Sequence, residues 1–248
     1  MTALRDISRP PAEPTSVQRR RLTSTSDDRP LLLGDGGRLR VEWLGRVPYR
    51  PTWDLQNELA DRRRRREIGD RVLLLEHEPV YTIGRGGDDR NLLASPERLA
   101  ALGAEMVRID RGGDITFHGP GQLVAYPIVE LRDPLDLRRY VRTLESAIID
   151  TASGFGVDAD RVDGRPGAWV DGTRKLAAIG VRVRRGVTTH GLALNVSTDL
   201  AWFAEMIPCG LSDIEATSLG RELGEPPPMA AVADRLASCL AGAFGLHR

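Results

Sequence analysis

Of the 35 lysine and arginine residues in this 248-residue chain, one is lysine, Lys175, and the other 34 are arginine. The two cations differ in chemistry. Arginine keeps its charge at every relevant pH, whereas a partly desolvated lysine can lose its proton near neutrality and act as a base. Lysine used once among so many arginines points to that chemistry, although arginine-biased drift gives the same count. A second reactive candidate is Cys209, between Pro208 and Gly210 in "MIPCGLSD" (206–213). This is loop composition, and Gly210 leaves room for a substrate carbonyl beside backbone N–H groups that can hold an oxyanion. A free thiol is mostly protonated at neutral pH, and a nearby cation lowers its pKa by about 1–3 units. Cys239 differs: in "AVADRLASCLAGAF" it shares a helical stripe with Val232, Leu236 and Ala243 and reads as a packing residue.

The segment "RGGDITFHGPGQLVAYPI" (111–128) is the third candidate. Gly112, Gly113, Gly119 and Gly121 permit unusual backbone angles and close approach of a ligand. Arg111 adds a fixed cation and His118 a titratable ring. The segment lacks the Gly-Lys-Ser/Thr of a phosphate-binding loop and the third glycine of a dinucleotide fingerprint. Two glycine turns between strands account for the glycines equally well. His118, His190 and Cys209 have no compact ligand spacing, so no metal site is expected.

Several elements must position these groups. Strands are expected at "LRVEWLG" (39–45), "RVLLLEH" (71–77), "PVYTIG" (79–84), "EMVRI" (105–109) and "LVAYPIVEL" (123–131), the last two flanking a glycine-rich loop. A helix opens on Pro51 with Leu55 and Leu59 inward and ends in Arg62 to Arg66. That run reads as a solvated helix end, with a dock for an acidic partner as the sharper alternative. A short helix is capped by Ser95. Longer ones cover "DLRRYVRTLESAIIDTASGFG" and the C-terminal "PPPMAAVADRLASCLAGAFG". "GAWV", a turn at Asp171-Gly172, "TRKLAAIGVRVRR" and "GVTTHGLALNV" form further strands. In the second, Ala177, Ile179, Val181 and Val183 alternate with Arg182 and Arg184, which puts Lys175 in phase with the apolar face. If the strand starts after Lys175, its side chain instead lies in solvent beside the turn. Helices and strands mix without regular alternation, so the fold class expected is α/β or α+β with a largely antiparallel sheet.

Composition is globular, with 41% hydrophobic and 28% charged residues. The formal net charge of zero argues against general nucleic-acid binding. No apolar run approaches a membrane span or an export signal, and two cysteines give no disulfide framework, so a reduced cytoplasmic enzyme is expected. Residues 1–35, rich in Pro, Ser, Thr, Asp and Arg, read as a disordered extension, and residues 36–248 as one catalytic domain.

Four segments, "RGGDITFHGPGQLVAYPI", "GRPGAWVDGTRKLAAIGVRV", "THGLALNV" and "IPCGLSDIEATSL", with "LLLEHEPVYTIGR" in support, resemble the lipoyl(octanoyl) transferase family. The resemblance runs from about residue 39 to 245, in the family's order. It implies the fold of the biotin and lipoate protein ligases, a mixed sheet flanked by helices. It implies that Cys209 is the acyl-thioester nucleophile and Lys175 the group that lowers its pKa and serves as acid and base. Arg111, Gly112, Gly113, Asp114, Ile115, Thr116, Phe117 and His118 match one substrate-binding loop of the family. Ala178, Ile179 and Gly180 match a second, and Gly191, Leu192 and Ala193 a third. The implied donor is octanoyl-acyl carrier protein. The implied acceptors are lipoyl domains of 2-oxoacid dehydrogenase complexes and the glycine cleavage H protein, with no cofactor, nucleic acid or membrane. His118 is expected either to orient the thioester or a backbone loop or to make a structural hydrogen bond, and His190, before "GLALNV", is expected to line the tunnel mouth. Two other readings stay open: an ATP-dependent lipoate or biotin ligase, and a non-catalytic module that binds lipoyl domains or acyl carriers.

Overall fold

The computed structural model describes residues 39–131, 137–207 and 214–246. Residues 1–35 and Cys209 lie outside the described residues. The strands are β1 (Arg40–Val47), β2 (Arg71–His77), β3 (Val80–Ile83), β4 (Glu105–Arg108), β5 (Ile115–His118), β6 (Gln122–Ile128), β7 (Asp160–Val162), β8 (Arg165–Val170), β9 (Arg174–Arg184), β10 (Val187–Asn195) and β11 (Glu215–Ala216). The helices are α1 (Tyr49–Arg64), α2 (Pro96–Leu102), α3 (Leu137–Ser153), α4 (Leu219–Leu223) and α5 (Met229–Ala243). Among the described residues no helix is long and apolar enough to cross a membrane.

The main sheet has the order β1-β2-β6-β10-β9-β8-β7, with β11 pairing beside β9. Within it only β1 with β2 and β11 with β9 run parallel. A smaller sheet has the order β4-β3-β5. Helices α3 and α5 pack on one face of the main sheet, where Tyr140, Leu144, Ile148, Leu236 and Leu240 meet Leu123, Ala177 and Leu192. Helix α1 covers the other face, with Leu59 and Ala60 against Leu73, Val124 and Ala193. Both faces of β2 and β6 are therefore apolar, which explains their nearly continuous hydrophobic runs.

Turn chemistry follows the sequence closely. Asp171 and Gly172 take positive φ (47° and 77°) between β8 and β9, and Arg185 and Gly186 (49° and 81°) between β9 and β10. Such pairs match the twist of adjoining antiparallel strands. Ser95 accepts the Arg98 N–H at the start of α2, and Gly103 closes that helix with φ 65°.

Three expectations are corrected. First, Ile115–His118 is not loop but strand β5, paired antiparallel with β3. Ile115 and Phe117 alternate into a small core with Tyr81 and Ile83, and this burial overrides the flanking glycines. Second, the arginines ending α1 are not all solvated. Arg63 continues the buried stripe of Gln56, Leu59 and Ala60, and its Nε donates to Asp70 at 2.7 Å with both side chains nearly inaccessible. Third, Lys175 does not share the face of Ala177 and Val181. Ala168 pairs with Ala177 but Trp169 with Lys175, so Leu176 is an extra residue on β9. This bulge puts Leu176 and Ala177 consecutively into the core and carries Lys175 to the opposite face.

Candidate active site

Lys175 and residues from both faces of β9 line a cavity of about 200 Å³ between the main sheet and the smaller one. Strand β9 contributes Lys175, Ala177, Ala178, Ile179 and Gly180, and β10 contributes His190, Gly191, Leu192 and Ala193. Arg111, Gly113, Asp114, Ile115, Thr116 and His118 close it from β5 and the preceding loop. Of the candidate residues in segment 111–128, Gly112, Phe117, Gly119 and Gly121 do not line it. The Gly112 N–H donates to Val181 O at 3.0 Å, which stitches the loop to β9. Phe117 points into the core of the smaller sheet, where its ring stacks on Trp202 at 4.8 Å.

Small residues at the wall are there for contact as well as space. A Cβ on Gly191 would lie 2.1 Å from Ala125 O, and one on Gly180 would lie 2.8 Å from Arg111 Cδ. Arg111 is buried and donates to Thr82 O at 2.8 Å and to Gly112 O at 3.1 Å. Asp114 also holds the neighbouring loop, accepting from Asn91 Nδ2 at 2.5 Å and from the Asp88 N–H at 3.3 Å.

The sequence reading missed the cavity's aromatic end. Tyr49, from the first turn of α1, and Tyr126, from β6, line it beside His118 and His190. Tyr49 stacks on His118 with centroids 6.1 Å apart, and His77 lies 5.8 Å from His118. His77 Nδ1 donates to Val47 O at 2.9 Å, so its Nε2 accepts from the Tyr126 hydroxyl at 2.8 Å. Burial holds the His77 pKa down at about 4 and the Tyr126 hydroxyl well above its usual range. The only signal for this cluster was an isolated tyrosine or histidine in each of several distant segments.

Burial favours the neutral form of both His118 and His190. Burial and then the neighbouring His77 push His118 well below its ordinary value. Gln122 Nε2 donates to Phe117 O and to Asn195 Oδ1, leaving its Oε1 to accept from His118 Nδ1 at 2.8 Å. Asn195 Nδ2 continues the chain to Thr217 O at 2.8 Å. Burial, then Arg111 and Arg182, lower His190 to about 3. His190 takes the left-handed φ of 58°, its N–H donates to Gln56 Oε1, and its Nε2 contacts Asp110 Oδ1 at 2.9 Å.

At the other end, Lys175 Nζ lies over the Trp169 ring, 5.0 Å from its centroid. Gly167, with φ 132°, is required first by the Ala177 carbonyl, which a Cβ there would meet at 2.3 Å, and the Lys175 stem lies alongside, with Cε 3.3 Å from the same point. Strand β11 pairs Ala216 with Lys175, and the Thr217 N–H donates to Lys175 O at 3.0 Å. Met206 and Ile214, on either side of segment 208–213, both line the cavity.

Residues 48–241 match the family described as the lipoyl protein ligase A/B catalytic domain. An octanoyltransferase of Chloroflexus aggregans is 49% identical over 212 residues, covering 84% of this chain and 96% of that protein. One from Rubrobacter xylanophilus is 50% identical over 196 residues, covering 78% and 88% respectively. Among solved structures, a bipartite lipoate protein ligase from Thermoplasma acidophilum superposes with a TM-score of 0.67 at 16% identity, covering 86% of this chain and 85% of that one. Lipoate-protein ligase A bound with ATP gives 0.66 at 16% identity, covering 85% and 86%. At such identity these structures establish the fold: a mixed, largely antiparallel sheet flanked by helices. On the evidence of the family match and these close sequence relatives, the chain belongs to the lipoyl protein ligase A/B catalytic-domain family and is an acyltransferase of its lipoyl(octanoyl) transferase group.

Proposed function

We propose that the enzyme transfers an octanoyl group from octanoyl-acyl carrier protein to the target lysine of lipoyl domains, through an acyl-thioester on Cys209. The observation that carries this reading is the convergence on one cavity of Lys175 and of both flanks of the Cys209 segment, Met206 and Ile214. In the resting pair, Lys175 ammonium sustains the Cys209 thiolate. The thiolate attacks the donor thioester, forming the new C–S bond and expelling the carrier thiolate, which takes the Lys175 proton. The acceptor amine then attacks the octanoyl-enzyme, forming the amide and expelling Cys209 as thiolate. Neutral Lys175 takes the amine proton, and the starting pair is restored.

Dividing the transfer into two thioester displacements needs no nucleotide, because the thioester already carries the activation energy. Gly180, Gly191 and Ala193 leave the wall open to a straight apolar chain, and His118 and His190, held neutral, add no charge to it. The acceptors on this reading are lipoyl domains of 2-oxoacid dehydrogenase complexes and the glycine cleavage H protein. A reducing cytoplasm would keep the single nucleophilic thiol free.

The fold shared with an ATP-bound lipoate-protein ligase favours one rival, an ATP-dependent ligase that adenylates a free acid. One experiment separates the two. With octanoyl-acyl carrier protein and no ATP, intact mass should show an octanoyl adduct that maps to Cys209 and moves to a lipoyl domain when that is added. Absence of the adduct, or a thioester persisting in Cys209→Ser, overturns the nucleophile. Transfer that requires ATP and free octanoate supports the ligase instead. Lys175→Arg tests the proton: wild-type transfer in that variant would mean that a fixed charge suffices.

A further inference from the structure

We propose that Trp169 is a positioning residue that fixes Lys175 on the cavity wall and biases it toward the ammonium form. This rests on the reading of Lys175 as the proton carrier, and it concerns how that carrier is tuned. Trp169 and Lys175 are direct partners across the antiparallel β8–β9 ladder, so their side chains share one face. They do so because of the bulge at Leu176, since without the extra residue Lys175 would lie on the far face. Trp169 is buried, its Nε1–H is anchored to Arg165 O at 3.0 Å, and its ring lies beneath Nζ at 5.0 Å. The ring therefore cannot turn away, and its negative face attracts the cation and not the neutral amine.

The placement matters for the proposed cycle. When, in that cycle, Cys209 becomes a thioester, the negative charge of the thiolate is gone. The Trp169 face still favours the proton, and so moderates its release to the departing carrier thiolate. Other charges near Lys175 among the described residues are largely engaged elsewhere. Arg174 bonds Glu222 through two nitrogens, Glu215 faces Arg221, and Glu145, beneath Gly167, meets Arg142 and Arg161. Arg111 and Asp114 are held by the contacts already described. Arg165 opposes the effect, since its guanidinium lies 5.9 Å from the same ring.

Because Lys175 is the chain's sole lysine, its ionisation can be read without any activity assay. The probe is acetic anhydride at a series of pH values, with acetylation of the Lys175 peptide quantified by mass spectrometry in a Cys209→Ala background. Trp169→Leu should lower the Lys175 pKa by about one unit, and Trp169→Phe, which keeps a ring but loses the Nε1–H bond, by less than half as much. Fluorinated tryptophans keep the shape and weaken the ring's negative face, so the pKa should fall stepwise with fluorine number even if Trp169→Leu fails to fold. Equal shifts in Leu and Phe, or no trend with fluorination, overturn the proposal. A failed Lys175→Arg test would not affect this readout, so the two ideas fail separately.

Discussion

Replacing Arg63 with methionine should unfold this protein far more readily than the same change one residue earlier. Arg62 is substantially exposed and reaches Glu58 and Glu67 only at 3.6 and 3.8 Å. Exposed pairs of this kind contribute about 0–1 kcal/mol. Arg63 and Asp70 are 3% and 1% exposed, joined at 2.7 Å, and Arg63 also meets Glu130 at 2.9 Å. Asp70 Oδ1 further accepts the Glu130 N–H at 3.0 Å, so the carboxylate also ties down the end of the β6 segment. Removing Arg63 takes a hydrogen-bonded cation at 2.7 Å from a buried carboxylate, a change of the kind that costs about 3–5 kcal/mol. For a domain of this size that is a fall in Tm of roughly 6–20 °C. Equilibrium urea unfolding measures it directly, provided the m-value is unchanged. Arg63→Met combined with Asp70→Leu should recover much of the loss, because Glu130 is partly exposed and can turn to water. If Arg63→Met falls within about 0.5 kcal/mol of Arg62→Met, the assignment of a buried structural pair is wrong.

Other outcomes follow from the same geometry. His77 and His190 have folded-state pKa values of about 4 and about 3, below an unfolded value near 6.5. The unfolded chain therefore binds more protons below pH 6.5. Stability is complete above that pH and declines as pH falls toward 4, with His77 accounting for about 3 kcal/mol. A pH series of urea midpoints should show this slope and a shallower one in His77→Gln, and equal slopes would contradict it. Gly191→Ala forces a Cβ against backbone at Ala125 O and should cost about 1–3 kcal/mol by thermal unfolding. Gly180→Ala meets only the Arg111 side chain and Gly112 O, so the fold should survive while octanoyl transfer drops roughly tenfold or more in kcat/KM. Unchanged transfer would mean that Gly180 does not shape the occupied cavity.

What the sequence determined by itself was largely local. Period-two and continuous apolar runs located β2, β6, β8, β9 and β10, and Asp171-Gly172 and Ser95 marked a turn and a helix cap through chemistry confined to a few residues. Motif order was enough to name the family. Arg63 was also legible, because it lies four residues after Leu59 and seven after Gln56, but its place in a run of like charges hid the helical phase. Tertiary structure alone decided the rest. Ile115–His118 becomes a strand because β3 supplies partners and a core. Tyr49, His77, Tyr126 and His118 meet only because α1, β2, β6 and β5 are folded around one cavity. The sharpest case is Lys175: alternation along β9 assigned it to the face of Ala177. Which face a strand residue occupies depends on the partner strand's register, and one extra residue at Leu176 reverses it.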